Sequence, residues 1–144
     1  MRHNRTVRKL GVKRNHRLAM MRNMVTSLLD HGRVTTTDSR AKVLKSLVDG
    51  MITKGKSNTV HARRMANQTI RDRAVLKKLF NVIAVDFSNR NGGYTRIVKW
   101  GHRKGDNASL SLVELVNYKP TIPEESDKKK GEKAKAQKDS SAAQ

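Results

Sequence analysis

The chain has 144 residues, with 32 Lys and Arg against 12 Asp and Glu, a formal charge of +20 and 35% hydrophobic residues. That balance predicts one small domain of ~100 residues with extensions, held against a polyanion. The absence of cysteine excludes disulfides, thiolate metal sites and cysteine nucleophiles, and no apolar run approaches the roughly 18 residues that span a bilayer.

Residues 1–15 read as a basic RNA-binding arm. No acid occurs before Asp30, whereas Arg2, Arg5, Arg8, Lys9, Lys13, Arg14, Arg17 and Arg22 fall in this opening stretch, with His3 and His16 between them. Cations this dense repel one another unless a polyanion neutralises them. An organellar transit peptide would share the arginines, but here no serine precedes Ser27 and the stretch runs into a helix with core spacing.

From His16 to His31, Leu18, Met21, Val25, Leu28 and Leu29 recur at helical intervals, and Gly32 suits a left-handed cap. Arg33 to Thr36 is a short β-branched strand. Ala41, Leu44, Leu47, Val48, Met51 and Ile52 make a second helix, capped by Thr37 or Asp38 and closed near Gly55. Ser57 can cap a third helix carrying Val60, Met65, Ala66 and Ile70. Asp72 can cap a fourth, with Val75, Leu76, Leu79, Phe80 and Ile83 inside.

Beyond Phe87 the texture changes to turn residues, Asn89, Asn91, Gly92 and Gly93, and then to β-formers from Tyr94 to Trp100. A basic loop, 101–107, separates these from a second apolar strand, Leu110 to Val116, so the pair reads as a long-looped hairpin. The expected fold is α+β: about four helices on a small mixed or antiparallel sheet, a compact domain over 16–117, and a disordered Lys/Glu/Ala tail over 118–144. The tail from Lys119 holds seven lysines and five acids, which leaves +18 on residues 1–118, so the charge belongs to the folded part.

Gly50 to Ser57 formally fits the phosphate-loop pattern G-x-x-x-x-G-K-[ST], which works only when a strand ends at its first glycine. Met51 and Ile52 continue a helical stripe instead, so the segment reads as a helix end. The acids outside the tail show no close pairing and the five histidines no ligand spacing, so no catalysis, cofactor, metal or small-molecule substrate is expected. Aromatics make up 3% of the chain, leaving Tyr94, Trp100 and Tyr118 as candidate stacking rings. Recognition through phosphate and shape should therefore dominate. The first candidates for RNA contact are Arg2, His3, Arg5, Arg8, Lys9, Lys13, Arg14, His16, Arg17 and Arg22. A second group is Arg63, Arg64, Arg96, Arg103 and Lys104. A free nucleoid or architectural DNA-binding protein would share this charge.

Several ordered motifs resemble one family. Met1-Arg2-His3, Leu10-Gly11 and the run from His16 to Met24 are similar to the start of bacterial large-ribosomal-subunit protein seventeen. Val34, Thr36, Thr37, Arg40-Ala41-Lys42, Asp49, Met51-Ile52-Thr53 and Gly55-Lys56 resemble its central signature. Lys78-Leu79-Phe80, Gly92 to Ile97, Gly105 to Ala108 and Val113 to Val116 extend the likeness to residues 1–117. Val34 stands where the family usually has Ile. The resemblance implies a cytoplasmic, ribosome-bound structural protein. Its partners would be large-subunit ribosomal RNA and neighbouring large-subunit ribosomal proteins near the nascent-chain exit region, with no membrane.

Overall fold

The computed structural model describes residues 8–117, so the expectations for Arg2, His3, Arg5, Tyr118 and the tail lie outside the described residues. Helix α1 (Arg14–His31) buries Met21, Val25, Leu28 and Leu29. It starts two residues before the expected His16, because apolar spacing marks only the buried part of a helix and the side chains of Arg14 and Asn15 lie in solvent. For the same reason Leu18, placed in the stripe by its spacing, is 45% exposed: it precedes the turn that meets the core. Gly32 ends the helix at φ +75°, its N–H donating to the Leu28 carbonyl at 2.8 Å.

Strand β1 (Arg33–Thr37) leads into α2 (Asp38–Ser57), which buries Ala41, Leu44, Val48, Met51 and Ile52. Gly55 does not close α2; the left-handed cap is Asn58. A Cβ on Gly55 would lie 3.2 Å from the Ala84 Cβ and 3.5 Å from Leu79, so glycine lets α2 approach the last helix closely. Helix α3 (Val60–Asn67) is capped by Thr59, whose Oγ1 accepts from the Ala62 N–H at 3.1 Å. The expected cap, Ser57, instead donates its hydroxyl to the Lys54 carbonyl at 2.8 Å, and Val60 is exposed.

Asp72 does cap the last helix, accepting from the Ala74 N–H at 2.8 Å. This helix, α4, runs from Arg73–Lys78 through a π-helical turn at Leu79–Ile83 and ends in Ala84–Asp86. The Ala84 N–H reaches five residues back to the Leu79 carbonyl, and the widened turn keeps Leu79, Phe80 and Ile83 all buried.

Strands β2 (Thr95–His102) and β3 (Ser109–Leu115) complete a three-stranded antiparallel sheet of order β1-β3-β2. The helices cover the face carrying Val113 and Leu115, while Thr35, Arg96 and Val98 on the other face are exposed. The architecture is the expected α+β arrangement. Its core joins Val25, Leu28, Leu44, Ile52, Ile70, Leu79, Phe87 and Val113. Tyr94 belongs to it as well, 2% exposed, with its ring 5.3 Å edge-on from Phe87. It is therefore no stacking platform: Phe87 fills one side of the ring and the Lys56 Nζ stands 5.7 Å from its centroid. Trp100 remains 64% exposed, at an irregularity in the β2–β3 register between Lys99 and Gly101.

Candidate nucleic-acid interface

The described part of the arm is folded back on α1. Leu10 (φ +57°) and Gly11 (φ +67°) form a left-handed turn, and the Arg17 guanidinium donates to the Lys9 carbonyl at 3.3 Å. Arg8 and Arg17 thereby line one groove with Leu18, Met21, Lys42, Val43 and Leu47. The first turn of α1 has no acid and no side-chain cap, and it displays Lys13, Arg14 and His16 in solvent. Unpaired N–H dipoles and cationic side chains at one helix end raise the same positive potential, which favours phosphate.

Arg22 lies on the other flank of α1. There it meets Arg71 and Arg73 from the connection into α4, together with Asn67 and Gln68 at the end of α3, around an open cleft of about 540 Å³. A neighbouring hollow lined by Ala19, Asn23, Thr26, Thr69 and Asp72 shares Arg22 and Arg71 with it. The backbone of the connection is fixed. Thr69 and Ile70 N–H groups both donate to the Ala66 carbonyl, at 3.0 and 2.9 Å, Ile70 is fully buried, and Asp72 is occupied by its cap. None of the three guanidiniums has a carboxylate within ion-pair distance among the described residues.

The second group of candidates is divided by the fold. Arg63 is exposed, and its guanidinium donates to Asn58 Oδ1 at 2.8 Å and lies 4.9 Å over the Phe80 ring, which ties it to α4. Its neighbour Arg64 is exposed. Arg96 forms a close ion pair with Glu114, which faces both Arg33 and Arg96 across the ladder. Arg103 holds Asp106 through bonds of 2.9 and 2.5 Å, and Lys104 is exposed beside them. The hydrogen bonds from Arg103, with a backbone bond from Ala108, hold the Asp106 carboxyl down at about 2. Lys99 and Ser111 both bind Asp38 at the start of α2, and Lys42 closes on its other oxygen at 2.8 Å. Those hydrogen bonds, Lys42's first and then Lys99's, push Asp38 far below the usual carboxylate range.

Arg71 and Arg73 lie outside the candidate set named from the sequence, where they read, with Arg63 and Arg64, as a basic helix face that could meet either solvent or RNA. Their one local signal is that they flank a cap residue, Asp72, next to an apolar Ile70, which turns them outward. The formal phosphate-loop segment lies wholly within α2, and Lys56 donates to the Arg90 carbonyl at 2.7 Å, so its ammonium is committed to packing. Among the described residues, no three of His, Asp and Glu come together as metal ligands, and no helix is long and apolar enough to cross a membrane.

A sequence model described as ribosomal protein L17 matches residues 20–116. The large ribosomal subunit protein bL17 of Syntrophotalea carbinolica is 53% identical over 131 residues, covering 90% of this chain and 84% of that protein. Its counterparts from Trichlorobacter lovleyi and Syntrophus aciditrophicus are 54% and 55% identical over 116 residues, covering 81% of this chain and 94% and 93% of theirs. A match over most of the folded residues, with relatives above half identity, means that this chain belongs to the ribosomal protein L17 family.

Proposed function

We propose that the protein is a structural constituent of the large ribosomal subunit, binding large-subunit ribosomal RNA through its phosphates and shape, with no catalysis of its own. The observation that carries this reading is the basic surface along α1, without ion pairs among the described residues: Lys13 and Arg14 at its start, and Arg22 with Arg71 and Arg73 on its flank. Among the described residues these arginines have no carboxylate within ion-pair distance, and each guanidinium offers a fork suited to phosphate oxygens.

In this role the arm and α1 enter the RNA, and the small core holds the α1 surface and the hairpin at a fixed separation, so that the protein ties RNA segments together. The family resemblance supports a position near the nascent-chain exit region, beside other large-subunit proteins, on cytoplasmic ribosomes. The test is sedimentation of a bacterial lysate at moderate salt. The protein should travel with the large subunit and leave it after ribonuclease treatment. A pool bound to DNA and insensitive to ribonuclease would make it a free architectural DNA-binding protein instead.

A further inference from the structure

Resting on the RNA-binding reading, we infer that the cleft of Arg22, Arg71 and Arg73 is a preformed seat for one bend of RNA backbone. In it the arginines take adjacent phosphates and Asn67 and Gln68 take the ribose 2′-hydroxyl. Three features carry this assignment. The three arginines come from two separate segments, α1 and the α3–α4 connection, line one open cleft, and have no carboxylate within ion-pair distance among the described residues, the adjacent Asp72 accepting from the Ala74 N–H. Like charges around one cleft repel, and an anion of more than one charge between them relieves that repulsion.

Secondly, the seat is rigid before any ligand arrives. Ile70 is fully buried, its N–H is bonded to Ala66, and Asp72 caps α4, so the Cα atoms of Arg71 and Arg73 are fixed by the core rather than by the RNA. Thirdly, the remaining lining is neutral amide. Asn67 and Gln68 each offer both a donor and an acceptor, the pair that a 2′-hydroxyl, itself donor and acceptor, satisfies and that a deoxyribose cannot. A cleft selected only for charge would carry lysines there.

The cleft therefore distinguishes RNA from DNA at one point, whereas the arm answers only to charge. The test measures binding of the full chain to a fragment of bacterial large-subunit RNA, and to single-stranded DNA of the same sequence, over a range of salt. Replacing Arg71→Gln and Arg73→Gln together should lower the slope of log affinity against log salt by roughly 1.4, from about 0.7 for each lost single-strand phosphate contact. Arg71→Lys with Arg73→Lys should keep that slope while weakening binding, because the charge stays and the fork is lost. Asn67→Ala with Gln68→Ala should cut RNA affinity about tenfold, leave DNA affinity unchanged and leave the slope unchanged. An unaltered slope in the Gln variant, or an equal loss for RNA and DNA in the amide variant, overturns the assignment while the broader reading stands. Failure of the unmodified chain to prefer RNA at all overturns both.

Discussion

On the sheet, Arg33 and Arg96 stand opposite Glu114, Lys99 reaches Asp38 and Arg103 grips Asp106. In the cleft beside α1, Arg22, Arg71 and Arg73 converge with no such acid among the described residues. Both regions are rich in arginine. They differ in where their counter-charge comes from. The sheet supplies its own, so a phosphate arriving at Arg96, Lys99 or Arg103 must displace a carboxylate, whereas no described acid pairs with the arginines of the cleft. An exposed ion pair such as Arg103–Asp106 adds little to folding, so it matters more for what it makes unavailable than for what it stabilises.

If the α1 side is the electrostatic anchor, removing residues 1–12 should have the largest effect on binding. That cut takes away Arg2, Arg5, Arg8 and Lys9 and leaves the α1 turn at Lys13 in place. The salt slope for RNA should fall by roughly 0.7 to 0.9 for each of these cations that meets a phosphate. An unchanged slope in a filter-binding titration would mean that the arm is only solvated, and would shift the whole anchor onto the cleft.

The cleft depends on the core beneath it. Ile70 is fully buried under the connection that displays Arg71 and Arg73, and Ile70→Ala should cost about 2 to 5 kcal/mol of stability, read as a lower urea midpoint. At temperatures where the variant remains folded, its salt slope should also fall, because the two arginines lose their fixed spacing. Loss of stability with an intact slope would show that the cleft's geometry does not need Ile70.

Much of this was legible in advance, for identifiable reasons. Met21, Val25, Leu28 and Leu29 recur at the helical period and face the core, and Gly32 stands where a left-handed cap is needed, so α1 and its end follow from spacing. Asp72 was readable as a cap. What spacing could not supply was anything set by partners distant in sequence. Gly55 looks like a terminator but is the contact point for Ala84, a residue of another helix. Tyr94 sits between turn glycines and β-formers, yet Phe87 draws it inside. Arg63 and Arg64 look equivalent, and the Phe80 ring and Asn58 amide that hold Arg63 separate them. The convergence of Arg22 with Arg71 and Arg73 is tertiary in the same way; each is a surface arginine until α1 is laid beside the α3–α4 connection.

The paired cations of the sheet sharpen the comparison from the other side. Arg96→Gln together with Arg103→Gln removes as many charges as the double variant in the cleft. The slope for RNA should nevertheless change by less than the roughly 0.7 of one phosphate contact, because Glu114 and Asp106 already neutralise these groups. A change as large as that in the cleft would show that RNA displaces the carboxylates, and the two regions would then be one continuous surface.

The smallest effect lies within the hairpin loop and reads the strength of one such pair. Asp106 is held at about 2, below the ordinary 3.8, first by the Arg103 side chain and then by the Ala108 N–H. A depressed folded-state pKa means that the pair's contribution is fully present above about pH 4 and fades as the pH falls towards 2. An NMR titration of the Asp106 carboxyl carbon should therefore have its midpoint near 2, and exchange of the Ala108 amide should quicken over the same interval. Asp38, held by both Lys42 and Lys99, should titrate lower still, so the loop loosens before the tie between α2 and the sheet does. Arg103→Gln should move the Asp106 midpoint back towards 3.8 without reaching it, since the Ala108 bond remains. A midpoint unmoved by that substitution would mean that the backbone, not the guanidinium, holds the carboxylate, and Arg103 would then count with the free cations of the α1 side.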